Sequence, residues 1–110
     1  MTERSPTDQT LIELTGRLIE RRSVSPDDAG CQDILYAVLA PLGFQRVQHD
    51  FADVKNLWAV KEGNEPGPTL IFAGHTDVVP SGPTDAWSSD PFTPTVSQDV
   101  IYGRGAADMK

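Results

Sequence analysis

The sequence predicts an α/β fold in which helices flank a mixed β-sheet. Two amphipathic helical patterns come first in the chain, and short runs of strand-forming residues follow them. The strongest run is 69–73, where apolar residues lie between the turn-forming residues 66–68 and Gly74. Helices that precede a set of strands in this way are expected to pack on the sheet as a separate layer.

Local signals place the individual elements. Ser5, Pro6 and Asp8 form an N-cap pattern for a first helix, whose leucines recur at helical spacing. A second helix is expected over residues 29–42, with Gly43 as its C-terminal stop. An ordered loop rich in proline is expected after the central strand. The predicted strands are 44–51, 56–60, 69–73 (buried and central) and 100–102.

Composition excludes several classes of protein. Nine basic residues against 16 acidic ones give a net charge of −7, which argues against nucleic acid and anionic membranes as partners. Cys31 is the one cysteine, so no intrachain disulfide can form and a reducing compartment is expected. Residues 1–5 show no apolar signal segment. We therefore expect a cytoplasmic protein, with residues 1–110 forming one domain or part of one.

Three polar residues follow the ends of predicted strands. His75 and Asp77 come directly after the 69–73 run, and residues i and i+2 of an extended chain point to the same side. Asp108 follows the glycine turn after the last strand. Nitrogen and carboxylate donors suit zinc, and a carboxylate can bridge two metal ions. On these residues alone, a hydrogen-bonded strand-end histidine in an acidic domain without metal remains the alternative.

Other polar residues have simpler interpretations. Arg21 and Arg22 suit the C-terminus of the first helix, and His49 lacks further ligands at metal-site spacing. Cys31 has no catalytic partner nearby in the sequence and is expected to be structural. The glycine turn at 103–105 matches neither nucleotide-binding fingerprint.

Longer strings of sequence resemble a known family. They are Gly-His-Thr-Asp-Val-Val-Pro at 74–80, Asp-Pro-Phe at 90–92 and Tyr-Gly-Arg-Gly-Ala-Ala-Asp-Met-Lys at 102–110. Together they resemble the co-catalytic dinuclear zinc hydrolases related to aminoacylases and acetylornithine deacetylases. Residues 25–33 and 41–44 favour the subgroup that acts on succinylated diaminopimelate. The resemblance covers nearly the whole chain.

The resemblance implies a fold and a reaction. The fold would be the N-terminal part of a three-layer zinc-hydrolase catalytic domain. His75 would bind one zinc, Asp108 would bridge two zinc ions, and Asp77 would be a catalytic-site residue that orients His75. The complete enzyme would hold two zinc ions per subunit, or cobalt, and form a homodimer. It would hydrolyse a small dicarboxylate amide, N-succinyl-LL-2,6-diaminopimelate, in lysine and diaminopimelate biosynthesis.

The same family carries further functional residues that have no counterpart up to Lys110. They are a general-base Glu, additional zinc ligands, a distant His and a separate dimerisation domain. Residues 1–110 alone are therefore expected to be inactive and to bind zinc weakly. An acetylornithine deacetylase-like or aminoacylase-like hydrolase and a non-catalytic binding module remain alternatives.

Overall fold

Two helices followed by two small antiparallel sheets make up the computed structural model, which describes residues 3–110. The predicted α/β class is confirmed. Met1 and Thr2 lie outside the described residues, and they are part of the segment in which no signal sequence was predicted. The helices are α1 (Pro6–Ile19) and α2 (Cys31–Leu39), with short 3₁₀ turns at Ala40–Leu42 and Thr84–Ala86. The strands are β1 (Gln45–Gln48), β2 (Leu57–Val60), β3 (Thr95–Ser97) and β4 (Val100–Tyr102).

Helix α1 begins where its capping signal predicts. The Asp8 amide donates to Ser5 Oγ at 3.1 Å, and the Ser5 amide donates to the Asp8 carboxylate at 3.3 Å. This capping box satisfies amides that lack partners within the helix. At the other end of α1, Leu18 is buried against Cys31 and Ile34 of α2, which forms the small core between the two helices.

Helix α2 begins two residues later than predicted. Ala29 and Gly30 have positive φ angles of 52° and 85°, which a right-handed helix cannot include. The Asp28 carboxylate accepts the amides of Gly30 and Gln32, so it caps the helix from outside. At the C-terminal end, α2 stops at Leu39, three residues earlier than predicted, and Gly43, with a φ of 93°, ends the 3₁₀ turn that follows it.

The two sheets are separate hairpin-like pairs. Strands β1 and β2 are antiparallel with Val47 opposite Trp58, and β3 and β4 are antiparallel with Val96 opposite Ile101. The predicted strands near 44–51, 56–60 and 100–102 are confirmed in shorter form. Strand β3 was not predicted, because it lies in the stretch read as an ordered loop.

The predicted central strand is wrong for this structure. Residues 69–73 form no strand, and Leu70 and Phe72 are 79% and 90% exposed. The mixed sheet is likewise not formed within residues 3–110, where the parallel pairing found is a single bridge between Val24 and Val78. An apolar run indicates that its side chains need to be buried. Burial of a strand requires neighbouring strands, and neither hairpin pairs with this run.

The bridge between Val24 and Val78 positions the segment that follows the exposed run. Val78 is buried, its amide donates to the Ser23 carbonyl at 2.9 Å, and its carbonyl accepts the Ser25 amide at 3.0 Å. The segment after α1 is thereby fixed to residues 76–78. No helix among the described residues has the length and apolar character needed to cross a membrane.

Candidate metal centre

His75 makes two different kinds of contact through its two ring nitrogens. Nδ1 lies 3.1 Å from the Asp77 carbonyl oxygen and 3.2 Å from Asp77 Oδ1. Both of these oxygens can only accept hydrogen bonds, so Nδ1 carries a hydrogen. In the neutral imidazole this leaves Nε2 with a lone pair.

The lone pair of Nε2 faces another acceptor. Asp108 Oδ1 lies 3.0 Å from His75 Nε2. Two acceptors at this distance repel each other unless a cation joins them, either a proton on the ring or a metal ion between the atoms. The contact therefore marks a position where positive charge is stabilised.

The protonation of His75 responds to these same neighbours. The backbone carbonyl of Asp77 is the largest influence raising the pKa of His75, and the Asp108 and Asp77 carboxylates raise it further. Desolvation of the ring acts in the opposite direction. The surroundings thus favour a cationic imidazole when no metal is bound.

A glycine turn brings Asp108 to this position. Gly105 has a φ of +94°, and a Cβ there would lie 3.0 Å from Val78 Cγ1 and 2.8 Å from Lys110 Cδ. A Cβ at Gly103 would lie 2.6 Å from Ile19 Cγ2. Both glycines therefore let the turn approach α1 and the His75 loop more closely than any other residue would.

Two serines hold the His75 loop from the opposite side. Ser23 Oγ donates to the Thr76 carbonyl at 2.6 Å, and Ser25 Oγ donates to Asp77 Oδ2. Neither serine is among the predicted site residues, and this segment was singled out only where residues 25–33 support the family resemblance. No local signal identifies it, because Ser25 and Asp77 are 52 positions apart in the chain.

An open cleft of about 430 Å³ lies beside these residues. His75 and Asp77 form part of its wall, together with residues 25–28, which include the acidic Asp27 and Asp28, and residues 54–57. Lys55 and Lys110 supply positive charge to the lining. The cleft could admit a small, partly anionic molecule next to His75.

The facing donors fit a zinc ion. Zinc takes imidazole nitrogen and carboxylate oxygen at about 2.0–2.2 Å, and two such ligands at a tetrahedral angle are about 3.3 Å apart. His75 Nε2 and Asp108 Oδ1 are close to that separation. Asp77 already contacts Nδ1, which suits a residue that orients the ligand.

The described residues do not complete a metal site. Within residues 3–110, no cluster of three or more His, Cys, Asp or Glu side chains has metal-binding geometry. A catalytic zinc takes about three protein ligands. His75 and Asp108 could therefore supply only part of the coordination of a bound ion.

The remaining candidates stand apart from the site. Cys31 is fully buried in the helix core, and burial is the main cause that raises the pKa of its thiol. The Arg22 guanidinium lies 4.5 Å from the centre of the Phe92 ring, which is a packing contact. The His49 amide donates to the Asn56 carbonyl next to the β1–β2 hairpin.

Residues 71–110 match the sequence model of peptidase family M20/M25/M40. The chain is also 58% identical over 99 residues to the succinyl-diaminopimelate desuccinylase of Thioalkalivibrio sulfidiphilus, and 56% identical over 103 residues to that of Leptothrix cholodnii. Each alignment covers 90% of this chain. The chain is therefore similar to these desuccinylases over most of its length, and to the M20/M25/M40 peptidase family over residues 71–110. His75, Asp77 and Asp108 all lie within the segment that matches the M20 model.

The chain spans about a quarter of the length of the curated relatives it matches. The alignments cover 26% of the Thioalkalivibrio protein and 27% of the Leptothrix protein. A desuccinylase from Methylobacillus flagellatus gives the same picture, with 58% identity over 26% of its length. The similarity therefore relates most of this chain to one region of much longer relatives.

Proposed function

We propose that this chain is the N-terminal portion of the catalytic domain of a zinc-dependent amide hydrolase that removes succinate from N-succinyl-LL-2,6-diaminopimelate. The facing pair of His75 Nε2 and Asp108 Oδ1 is the observation on which the proposal depends. The relatives named succinyl-diaminopimelate desuccinylase support the choice of substrate, since they align with 90% of the chain. The M20 match supports the hydrolytic class.

Each residue of the pair has a distinct role in this proposal. His75 would hold one metal ion through Nε2, and Asp108 would be the carboxylate shared between two ions. The Asp77 backbone carbonyl accepts the Nδ1 hydrogen, and the Asp77 carboxylate lies beside the same nitrogen, so both favour the tautomer with its lone pair on Nε2. Zinc or cobalt, when bound, supplies Lewis-acid chemistry at the amide carbonyl and at water.

An anionic substrate requires positive charge close to the site. The proposed substrate is a dicarboxylate amide, while the chain has a net charge of −7. Lys55 lines the same cleft as His75 and Asp77, so it can attract a carboxylate there. Lys110 lines the same cleft and donates from Nζ to the Arg21 carbonyl at 2.6 Å.

The remaining proposals concern the whole protein. Residues 1–110 would be joined by the rest of the catalytic domain and by a dimerisation domain, giving a cytoplasmic homodimer. Its partner would be a small-molecule substrate rather than nucleic acid or membrane. The acidic composition supports the last point.

Substrate comparison on the full-length protein tests the proposed reaction. With zinc supplied, kcat/KM is expected to be at least about 100-fold higher for the succinyl amide than for the acetyl amide of the same amino acid, because a site built for a carboxylate rejects an analogue that lacks it. Preference for acetylated amino acids would point to an acetylornithine deacetylase-like or aminoacylase-like enzyme. Binding without hydrolysis of either amide would point to a binding module.

Asp77→Ala in the full-length protein separates orientation from metal binding. The variant is expected to keep both metal ions at saturating zinc, with weaker affinity, and to lose kcat by about 10- to 100-fold, because His75 then keeps the backbone carbonyl of residue 77 but lacks the orienting carboxylate. Asp53→Ala, a change outside the residues of the site, is the control. Loss of both metals from Asp77→Ala would contradict the role given to this residue.

A further inference from the structure

Ser25 contacts the metal-site loop through both its backbone and its side chain. Its amide donates to the Val78 carbonyl at 3.0 Å, and its hydroxyl donates to Asp77 Oδ2. The amide contact fixes the position of Ser25 relative to the loop. The single hydroxyl hydrogen goes to Asp77 Oδ2, since the other acceptor near Oγ, the Val78 carbonyl, is farther away at 3.4 Å.

The two oxygens of Asp77 have different partners. Oδ2 accepts from Ser25, and Oδ1 lies 3.2 Å from His75 Nδ1. The Asp77 side chain is 51% exposed, so packing alone does not hold its carboxylate plane. Removing the Ser25 hydroxyl leaves Oδ2 to water and frees the carboxylate to turn away from Nδ1.

We propose that Ser25 is a positioning residue that sets the orientation of Asp77 and, through it, the direction in which His75 Nε2 points. The line of contacts runs from Ser25 Oγ to Asp77, through the imidazole ring, to Asp108. Ser25 lies far upstream of residues 71–110, the segment that matches the family model. The inference rests on the proposed function, because it assigns Ser25 an effect on metal binding.

The chain supplies a matched control for the loss of a serine–aspartate bond. Ser5 Oγ lies 2.8 Å from Asp8 Oδ2 at the start of α1, and neither residue contacts the candidate site. Ser5→Ala therefore removes the same kind of contact and lowers stability without reaching His75. Ser25→Thr keeps the hydroxyl and serves as the conservative rescue.

The experiment measures zinc affinity of the full-length protein by competition with a chromophoric chelator, together with the visible spectrum of the cobalt-loaded form. Ser25→Ala is expected to weaken zinc binding about 10- to 100-fold and to change the cobalt spectrum, since an outer partner of a ligand is lost. Ser25→Thr is expected to retain affinity within about threefold of the parent. Ser5→Ala is expected to leave both readouts unchanged.

A double-mutant cycle identifies the route of the effect. If Ser25 acts through Asp77, Ser25→Ala adds no further loss of zinc affinity to Asp77→Ala. The inference would be overturned if Ser25→Ala kept the zinc affinity of the parent, or if Ser25→Ala and Ser25→Thr lost equal affinity. It would also be overturned if the losses from Ser25→Ala and Asp77→Ala were fully additive. Ser25→Cys, a near-isosteric weak donor, is expected to show a similar loss and replaces Ser25→Ala if that variant does not fold.

If the proposed function itself is wrong, the variants show a different pattern of zinc binding. If the parent protein binds no zinc, or if His75→Ala binds zinc as the parent does, the proposed metal site is wrong and the Ser25 inference falls with it. If the parent binds zinc, His75→Ala loses it and Ser25→Ala keeps it, the Ser25 inference alone is wrong.

Discussion

The His75 side chain is held by groups that accept hydrogen bonds on both sides of its ring. Asp77 supplies two oxygens to Nδ1, and Asp108 supplies one to Nε2. Only a cation can satisfy three such acceptors around one imidazole. This residue-scale arrangement supports the proposed metal centre, and a proton on the ring satisfies the same acceptors when no metal is bound.

Gly105 offers a residue-scale test of how Asp108 reaches His75. Gly105→Ala places a Cβ in a left-handed backbone and against Val78 and Lys110. We expect a loss of about 1–2 kcal/mol of stability from the backbone alone, and a fall in zinc affinity of the full-length protein as the turn shifts. Calorimetry and chelator competition measure the two effects.

Gly82→Ala is the matched control for that variant. Gly82 also has a positive φ, +73°, but a Cβ there would meet nothing within 4 Å. It is expected to show the backbone cost without any change in zinc affinity. Equal zinc affinity in the two variants would show that close packing of the Gly105 turn does not position Asp108.

Cys31 gives a residue-scale prediction that is independent of the metal. Its thiol is buried in the helix core and its pKa is raised, chiefly by burial. Alkylation by iodoacetamide at pH 8 is expected to be slower by about 100-fold or more in the native protein than in denaturant, because the thiolate is the reactive form. Rapid native labelling would contradict the burial of this thiol.

The raised pKa of Cys31 also fixes the sign of a pH effect. The folded state holds the thiol proton more tightly than the unfolded state does. The resulting stabilisation is fully present below the pKa of the unfolded thiol, ordinarily near 9.0, and is lost as the pH rises through the folded value. Cys31→Ala should lessen the decline of stability above pH 9, as followed by thermal unfolding.

At the scale of elements, α1 depends on its cap more than on any interior hydroxyl. Ser5→Ala removes the capping box and is expected to lower the free energy of unfolding by about 1 kcal/mol. Thr10→Ala removes a hydroxyl bonded to the Pro6 carbonyl inside the same helix and is expected to change stability by no more than about 0.5 kcal/mol. Denaturant titration distinguishes them, and equal losses would contradict the capping assignment.

Elements defined by local signals were predictable from the sequence, whereas elements defined by distant partners were not. The Ser5 cap and the Gly43 stop act within one turn of a helix, so their residues alone specify them. The late start of α2 was missed because Ala29 takes a left-handed φ that its sequence does not favour. Residues 69–73 were misassigned because an apolar pattern does not reveal which strands adjoin it.

The residues of the candidate site were likewise predictable only where a sequence motif contains them. Motif strings pointed to His75, Asp77 and Asp108, and the structure places these three side chains together. Ser23 and Ser25 were missed as site residues, since their contacts to the loop cross more than 50 positions of chain. Long-range contacts of single hydroxyls leave no periodic or capping signal in a sequence.

At the scale of the whole molecule, the exposed run 69–73 is the most conspicuous feature. Leu70, Ile71 and Phe72 are all more than 60% exposed, although their sequence is that of a buried strand. The relatives are about three and a half times as long as this chain, and a protein of that length has further residues that could cover such a run. Within residues 3–110 this apolar surface is left uncovered.

The isolated 110-residue chain is therefore expected to self-associate, bind a hydrophobic dye and release no measurable succinate. Phe72→Ser and Leu70→Ser together should reduce dye binding and association, since they remove exposed apolar area. Light scattering and dye fluorescence measure these properties. A monomeric, dye-free chain that hydrolyses the succinyl amide would contradict the incomplete-domain proposal.

Zinc stoichiometry of the full-length protein tests the central claim most directly. Inductively coupled plasma mass spectrometry should find two zinc ions per subunit in the parent and in His49→Ala, the control histidine. His75→Ala should lose one ion, and Asp108→Ala should lose both or nearly both, because its carboxylate is proposed to bridge them. Unchanged zinc content in His75→Ala and Asp108→Ala would contradict the account.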